Sequence, residues 1–289
     1  MHFDFLDSNL HERWLHLTHP MVRQLAFCVG SPNILRSLPA DLPITHSFQF
    51  HNDSIWREHL DRYWPRLQYL DQHPDELISF LQKLKSTRLG LRFEMFIWFW
   101  LLDSSYHAYQ LLGHSIQKID GARTLGELDF LLLNTESNEI EHWEVALKYY
   151  LAERDYSLPF WYGLNRSDTL SRKLHHFTQK QFQFADAMER TIQRRFCVLK
   201  GQLYLPSPSS SLTLPGWVNP SRRIGHWGHR IPSGTPQYYR LQRHEWICPQ
   251  PTASSQNAKW WTDGLYKAIT DERYYMFRQP SLLTLQGCQ

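Results

Sequence analysis

Apolar residues in the first third of the chain recur at helical spacing. In HPMVRQLAFCVGSP, Val22, Leu25, Ala26 and Val29 share one face before a Ser-Pro stop. SIWREHLDRYWPRLQYL repeats the pattern with Ile55, Trp56, Leu60, Tyr63 and Trp64. HPDELISFLQKLKS opens with a proline and two acids, both favoured in a first helical turn. RLGLRFEMFIWFWLLDSSYHAYQLL is apolar around most of its circumference and predicts a buried helix reaching about Leu112, with Glu94 near its start.

The texture then changes to short β-like runs divided by turn signals. GHSIQKI ends at the hairpin dipeptide Asp120-Gly121, LGELDFLLL ends in polar NTESNE, and IEHWEVALKYYL follows. These predict a three-strand meander. Helical spacing returns from Ser167 to about Arg194, with Ser167 or Asp168 as cap and Leu170, Leu174, Phe177, Phe182 and Phe184 as the apolar set. RRFCVLKGQLYLP reads as a further strand. Residues 206–236 hold six prolines and clustered serines and predict a long loop. Beyond it, QYYRLQRHEWICP and RYYMFRQP read as strands around a helix in AKWWTDGLYKAI. The expected architecture is an α/β core over residues 85–205, a helical elaboration over 1–84, and a small α+β appendage over 206–289.

Composition narrows the class. With 289 residues, 42% apolar, 12 Trp, 14 Tyr and 16 Phe against 13 Gly, the chain is globular and rich in aromatics. Its most apolar segment, MFIWFWLL, is far short of the roughly 20 residues of a membrane span. Cys28, Cys197, Cys248 and Cys288 lie far apart, as neither a zinc ribbon nor a disulfide framework, and no basic-then-apolar leader opens the sequence. A cytoplasmic protein is expected. The net charge of +3 conceals an asymmetry: residues 165–244 hold 13 of the 31 Lys and Arg but only 3 of the 28 acids. A basic surface beside an acidic pocket suits a polyanion handled with a metal ion, although a solvated basic face gives the same count.

The acids carry the chemistry. Side chains two apart on a strand share a face, so Glu127 and Asp129 point one way, and His142, Glu144, Ala146 and Lys148 point one way. Neighbouring strands in register would bring the two sets together. Two such carboxylates suit a hard cation such as Mg²⁺ or Mn²⁺, which takes oxygen ligands and keeps several waters. A nearby ammonium would stabilise charge developing on a phosphate.

The order helix, three-strand meander, helix, strand, with acids on the second and third strands, resembles the PD-(D/E)XK nuclease superfamily. That resemblance implies a restriction-endonuclease-like core and hydrolysis of phosphodiester bonds in DNA or RNA. It implies Asp129 and Glu144 as metal ligands, Glu94 as the helix acid and Lys148 as the lysine. Glu127, on the same strand face as Asp129, is read from its position as a further acid supporting the catalytic set. Lys148 stands four positions past Glu144 rather than two, with Ala146 at the usual place. Over most of its length the chain also resembles an uncharacterised bacterial family, the domain of unknown function numbered 1853. The similarity rests on HPMVRQLAF, RLGLRFE, TLGELDFLLLN, HWEVALKYYL, GLNRSDTLSRKL and VLKGQLYLP, and this family implies no activity.

Other chemistries find little support. The sixteen histidines show no zinc-protease pair on a helix, and only His142 lies beside the acids. A nucleophile elbow and a Walker loop are both absent from the sequence. In SRRIGHWGHR, Arg222, Arg223 and Arg230 could meet phosphates while Trp227 stacks on a base, or the segment could be an aromatic staple for a loop. Arg172, Lys173 and Lys180 form a second candidate phosphate-contacting face. The competing class is a nucleic-acid-binding or protein-interaction scaffold without catalysis, in which the acids pair with neighbouring cations.

Overall fold

The computed structural model describes residues 12–208, 212–230, 238–248, 264–268 and 273–279. Four helices precede the sheet: α1 (Pro20–Gly30), α2 (Asp53–Gln72), α3 (Asp75–Leu81) and α4 (Leu89–Leu102). Their apolar faces pack as the spacing predicts, with Val22, Leu25, Trp56, Leu60, Phe93, Phe96 and Trp100 buried in one cluster. No helix among the described residues is long and apolar enough to cross a membrane.

α4 stops ten residues before the predicted end. Asp103 leaves the helix and accepts hydrogen bonds from the Tyr63 hydroxyl at 2.5 Å and Arg66 Nε at 3.1 Å. His107 Nε2 lies 3.0 Å from the Trp100 carbonyl at the helix end, which also accepts the Asp103 N–H at 3.0 Å. Tyr109 to Leu112 therefore belong to a strand. The meander consists of β1 (Tyr109–Asp120), β2 (Arg123–Asn134) and β3 (Glu139–Ala152), all antiparallel. Its first turn has Gly121 at φ +58°, a conformation glycine adopts at little cost.

A two-residue strand, β4 (Trp161–Tyr162), pairs with the end of β3. Helix α5 (Leu170–Gln179) follows, capped by Thr169 rather than Ser167 or Asp168, its hydroxyl accepting the Arg172 N–H at 3.1 Å. The predicted helix does not continue to Arg194. Met188 and Glu189 take positive φ in the turn between β5 (Asp186–Ala187) and β6 (Arg190–Thr191), which no helix allows. β7 (Arg194–Pro206) then runs parallel to β3, from Glu141 opposite Arg194 to Leu151 opposite Tyr204. β7 bends at Gly201, whose φ of +125° and close approach to the Lys148 carbonyl leave no room for a Cβ.

The predicted loop over 206–236 contains β8 (Ile224–Gly228), parallel to β7. β9 (Tyr238–Arg240), β10 (Gly264–Ala268) and β11 (Tyr274–Phe277) complete the sheet. The order is β1-β2-β3-β7-β8-β11-β10-β9, with β4 beside β3. β10 is a strand where a helix was predicted; the rest of that predicted helix, 258–263 and 269, lies outside the described residues. The fold is thus α/β with one large mixed sheet. α1, α2 and α4 cover one face, against Phe130, Trp143, Leu147 and Val198. α5 covers part of the other, where Leu170, Leu174, Phe177 and Phe182 meet Ala146, Tyr150 and Cys197.

Candidate active site

The β2–β3 ladder runs from Asn134 opposite Glu139 to Phe130 opposite Trp143 and stops there. The next opposed residues are Asp129 and Glu144. Here the strands splay, and side chains take over the hydrogen bonding. Val145 N donates to Asp129 Oδ2 at 2.8 Å, and Asp129 N lies 3.4 Å from Glu144 Oε1. Directly opposed residues share a face, so both carboxyls look toward α5.

Glu144 is fully enclosed. His142 Nε2 is 2.7 Å from Glu144 Oε1, and the Gln181 amide donates to Glu144 Oε2. Burial holds His142 down to about 3, against Asp129, which pulls it up. Its contact with Glu144 is therefore a hydrogen bond between a neutral ring and the carboxyl rather than an ion pair. The acids themselves are displaced the other way. Burial first and then the charge of Glu144 push Asp129 well above the carboxylate range, opposed by the Val145 N–H and by Lys173. Burial pushes Glu144 up to about 8, opposed chiefly by Lys173 and by hydrogen bonds from Asp129.

Lys173 is the cation of this site. It rises from α5, its Nζ donates to Gln181 Oε1 at 2.8 Å and sits 3.9 Å from the centre of the Phe177 ring, a cation–π contact. Burial lowers its pKa, and Glu144 and Asp129 are among the groups that restore it. Gln181 thus stands between ammonium and carboxylate. The sequence reading set Lys173 on an outward phosphate-contacting face. Its position four residues before Phe177 and three after Leu170 puts it on the rim of the buried stripe, which was the available signal.

Lys148 takes another partner. It keeps the parity of Glu144, but its Nζ bonds Asp168 Oδ2 at 2.7 Å, and Lys173 rather than Lys148 is the cation opposing the raised pKa of both acids. Glu94 reaches the neighbourhood without joining the pair. Its charge raises the pKa of both acids, yet its Oε1 lies 2.7 Å from His114 Nε2. The expected meeting of three acids is therefore a meeting of two, and among the described residues no three His, Cys, Asp or Glu are grouped to hold a metal ion. Glu127 lies exposed on the β1–β2 arm, beyond the last β2–β3 pair.

The arginine-tryptophan segment is not an open binding platform. Arg222 and Arg223 both bond the Glu12 carboxylate, at 3.2 Å and 2.8 Å. Trp227 is buried in β8 and donates its indole N–H to the Ala152 carbonyl at 2.9 Å, the staple alternative. Arg230 is exposed, and its carbonyl accepts the Tyr275 hydroxyl. Arg172 on α5 and Lys180 just past its end are exposed.

A family model described as a domain of unknown function (DUF1853) matches residues 23–286. The chain belongs to that family. The match takes in every element of this DUF1853 protein from α2 to β11, both acids and Lys173 included. No curated protein and no solved structure matches the chain.

A carboxyl bound to its proton more tightly when folded than when unfolded favours the fold below its unfolded value. For Glu144 that contribution is present below about 4.5 and is lost as pH rises through about 8. Glu144→Gln keeps the acceptor for Asp129 N and removes the titration. The wild-type DUF1853 protein should therefore lose stability from pH 5 to 8.5, and the variant should recover a few kcal/mol at the alkaline end. Calorimetry would read this as about 2–4 °C per kcal/mol, and identical pH slopes in the two proteins would remove Glu144 as the source.

Proposed function

We propose that this DUF1853 protein hydrolyses phosphodiester bonds of DNA or RNA with a divalent ion, on a restriction-endonuclease-like core. The element order supports it: α4, the meander β1 to β3, α5, and β7 parallel to β3. The observation that carries the reading is the acid pair itself. Asp129 and Glu144 face each other where the strands part, each with its pKa driven up by burial, and among the described residues Lys173 is a side-chain cation that tempers both.

Such a pair fits Mg²⁺ or Mn²⁺, which binds through one or two carboxylates and fills its shell with water. Asp129 and Glu144 would hold the ion, in place of the side-chain hydrogen bond between their carboxyls. The bound ion would polarise the phosphate and provide a water of lowered pKa. Lys173, on the far side of Gln181, is the group placed to stabilise charge developing on phosphate oxygens. Glu94, tied to His114, adds negative field without serving as a ligand.

The test is incubation of purified protein with single- and double-stranded DNA and RNA in Mg²⁺, Mn²⁺ or chelator. Cleavage dependent on the ion is expected. No cleavage of any substrate, together with no rise in Tm on adding either ion, would overturn the reading. A second reading is favoured by the hydrogen bonds the acids already make to Val145 and from Asp129 N: they close the sheet ladder, and the protein binds nucleic acid without cutting it. Salt-dependent binding without cleavage would select that one.

A further inference from the structure

The loop leading into α5 and the first turns of that helix form an open depression of about 290 Å³, lined by Ser167, Asp168, Arg172, Lys173 and His176. Its charge is one-sided. The single carboxylate, Asp168, is taken up by Lys148 at 2.7 Å. Arg172 is steadied at the wall, donating to the Ser167 carbonyl at 3.2 Å. His176 is held below its ordinary pKa by partial burial and then by the positive charges of Lys173, Lys180 and Arg172. The corner thus gathers cations that repel one another, and an anion would relieve them.

The donors define which anion. A guanidinium fork and an imidazole line one concave space with the Lys173 ammonium, which also bonds Gln181, while the Ser167 hydroxyl is turned to Asn165 Oδ1 at 3.0 Å; the arginine fork suits the paired oxygens of phosphate. A phosphodiester inside a strand has one charge and two non-bridging oxygens, and the strand must pass on. A phosphate monoester at a strand end has up to two charges and three free oxygens. The depression has donors for the second. It also adjoins the acid pair through a single residue, because Lys173 both lines it and bonds Gln181, whose amide bonds Glu144.

We infer that this depression is a subsite for the terminal phosphate monoester of a nucleic-acid strand, at its 5′ or 3′ end. The inference rests on the proposed hydrolysis for the fate of the strand but not for its capture, and it makes the protein one that works from phosphorylated ends.

Capture is measured without turnover, using the full-length Asp129→Asn protein in chelator. Fluorescence anisotropy would compare single-stranded oligonucleotides carrying a 5′ phosphate, a 3′ phosphate, or hydroxyls at both ends. One phosphorylated end should bind about tenfold tighter than the hydroxyl strand, with inorganic phosphate competing. Arg172→Ala combined with His176→Ala should abolish the preference. Both side chains are exposed, and an unchanged Tm would verify that the fold is intact. Equal affinity for the three strands, or a preference untouched by the double substitution, overturns the subsite. A wild-type protein that binds phosphorylated ends but never cleaves would overturn the hydrolysis and leave the subsite standing.

Discussion

Replacing Asp129 by asparagine is expected to lower ion-dependent cleavage by about 10³-fold or more, while the thermal transition stays in place or rises. The loss corresponds to several kcal/mol of charge stabilisation at the reacting phosphate, at 1.36 kcal/mol per factor of ten. The unchanged fold follows from local geometry, since the asparagine carbonyl can still accept the Val145 N–H that now bonds Oδ2 at 2.8 Å. Removing a carboxyl whose pKa is raised by burial and by Glu144 also ends a repulsion. Alanine at the same position separates the two roles. It strands the Val145 N–H at a cost of about 1–3 kcal/mol, so Asp129→Ala should lose both cleavage and stability. Full cleavage by the asparagine variant beside a destabilised alanine variant would show that Asp129 only continues the ladder.

The second large effect concerns the lysine. Lys173→Met should reduce cleavage by about 10²–10³-fold, the usual consequence of removing one preorganised group from a developing oxyanion. Methionine gives up the cation–π contact with Phe177 but is close to lysine in length and apolar, so an unchanged Tm would verify that the packing survives. Lys148→Met should have a much smaller effect, because that ammonium is spent on Asp168 at 2.7 Å. Single-turnover rates at saturating ion would decide the matter. A dead Lys148→Met protein beside an active Lys173→Met protein would return the catalytic lysine to β3.

The contrast between these lysines marks where sequence reading reached its end. Strand parity is a local property, and it correctly grouped His142, Glu144, Ala146 and Lys148 on the face that α5 covers. The Asp120-Gly121 turn, the three strands of the meander and β7 were legible for the same reason: alternation and turn chemistry act within a few residues. The meeting of Lys173 with the acids depends instead on how a helix lies across a sheet, a contact 29 residues distant from Glu144 in the chain. Nothing in a short window announces it.

Apolar runs misled in two other places. The stretch from Leu89 to Leu112 is mainly apolar through two structures, and only the six residues 103–108, with a short turn at Ser104–Tyr106, divide helix from strand. β10 is buried at all five positions, so it lacks the alternation that identifies a half-exposed strand and was read at helical spacing. β8 was hidden by flanking prolines. The partner of Arg222 and Arg223, Glu12, comes from the opposite end of the chain, which is why those arginines looked available.

Carrying the ammonium on α5 and the carboxyls on strands divides the charged set between two elements joined by apolar packing. Leu170, Leu174 and Phe177, the residues that seat the helix, become the setscrews of the charge spacing. A slightly smaller side chain at any of them would let the helix settle and retune the acids without altering a single polar group. Variation in such remote apolar positions is thus a route by which this scaffold could adjust its reactivity, or fall silent, while its polar residues remain intact.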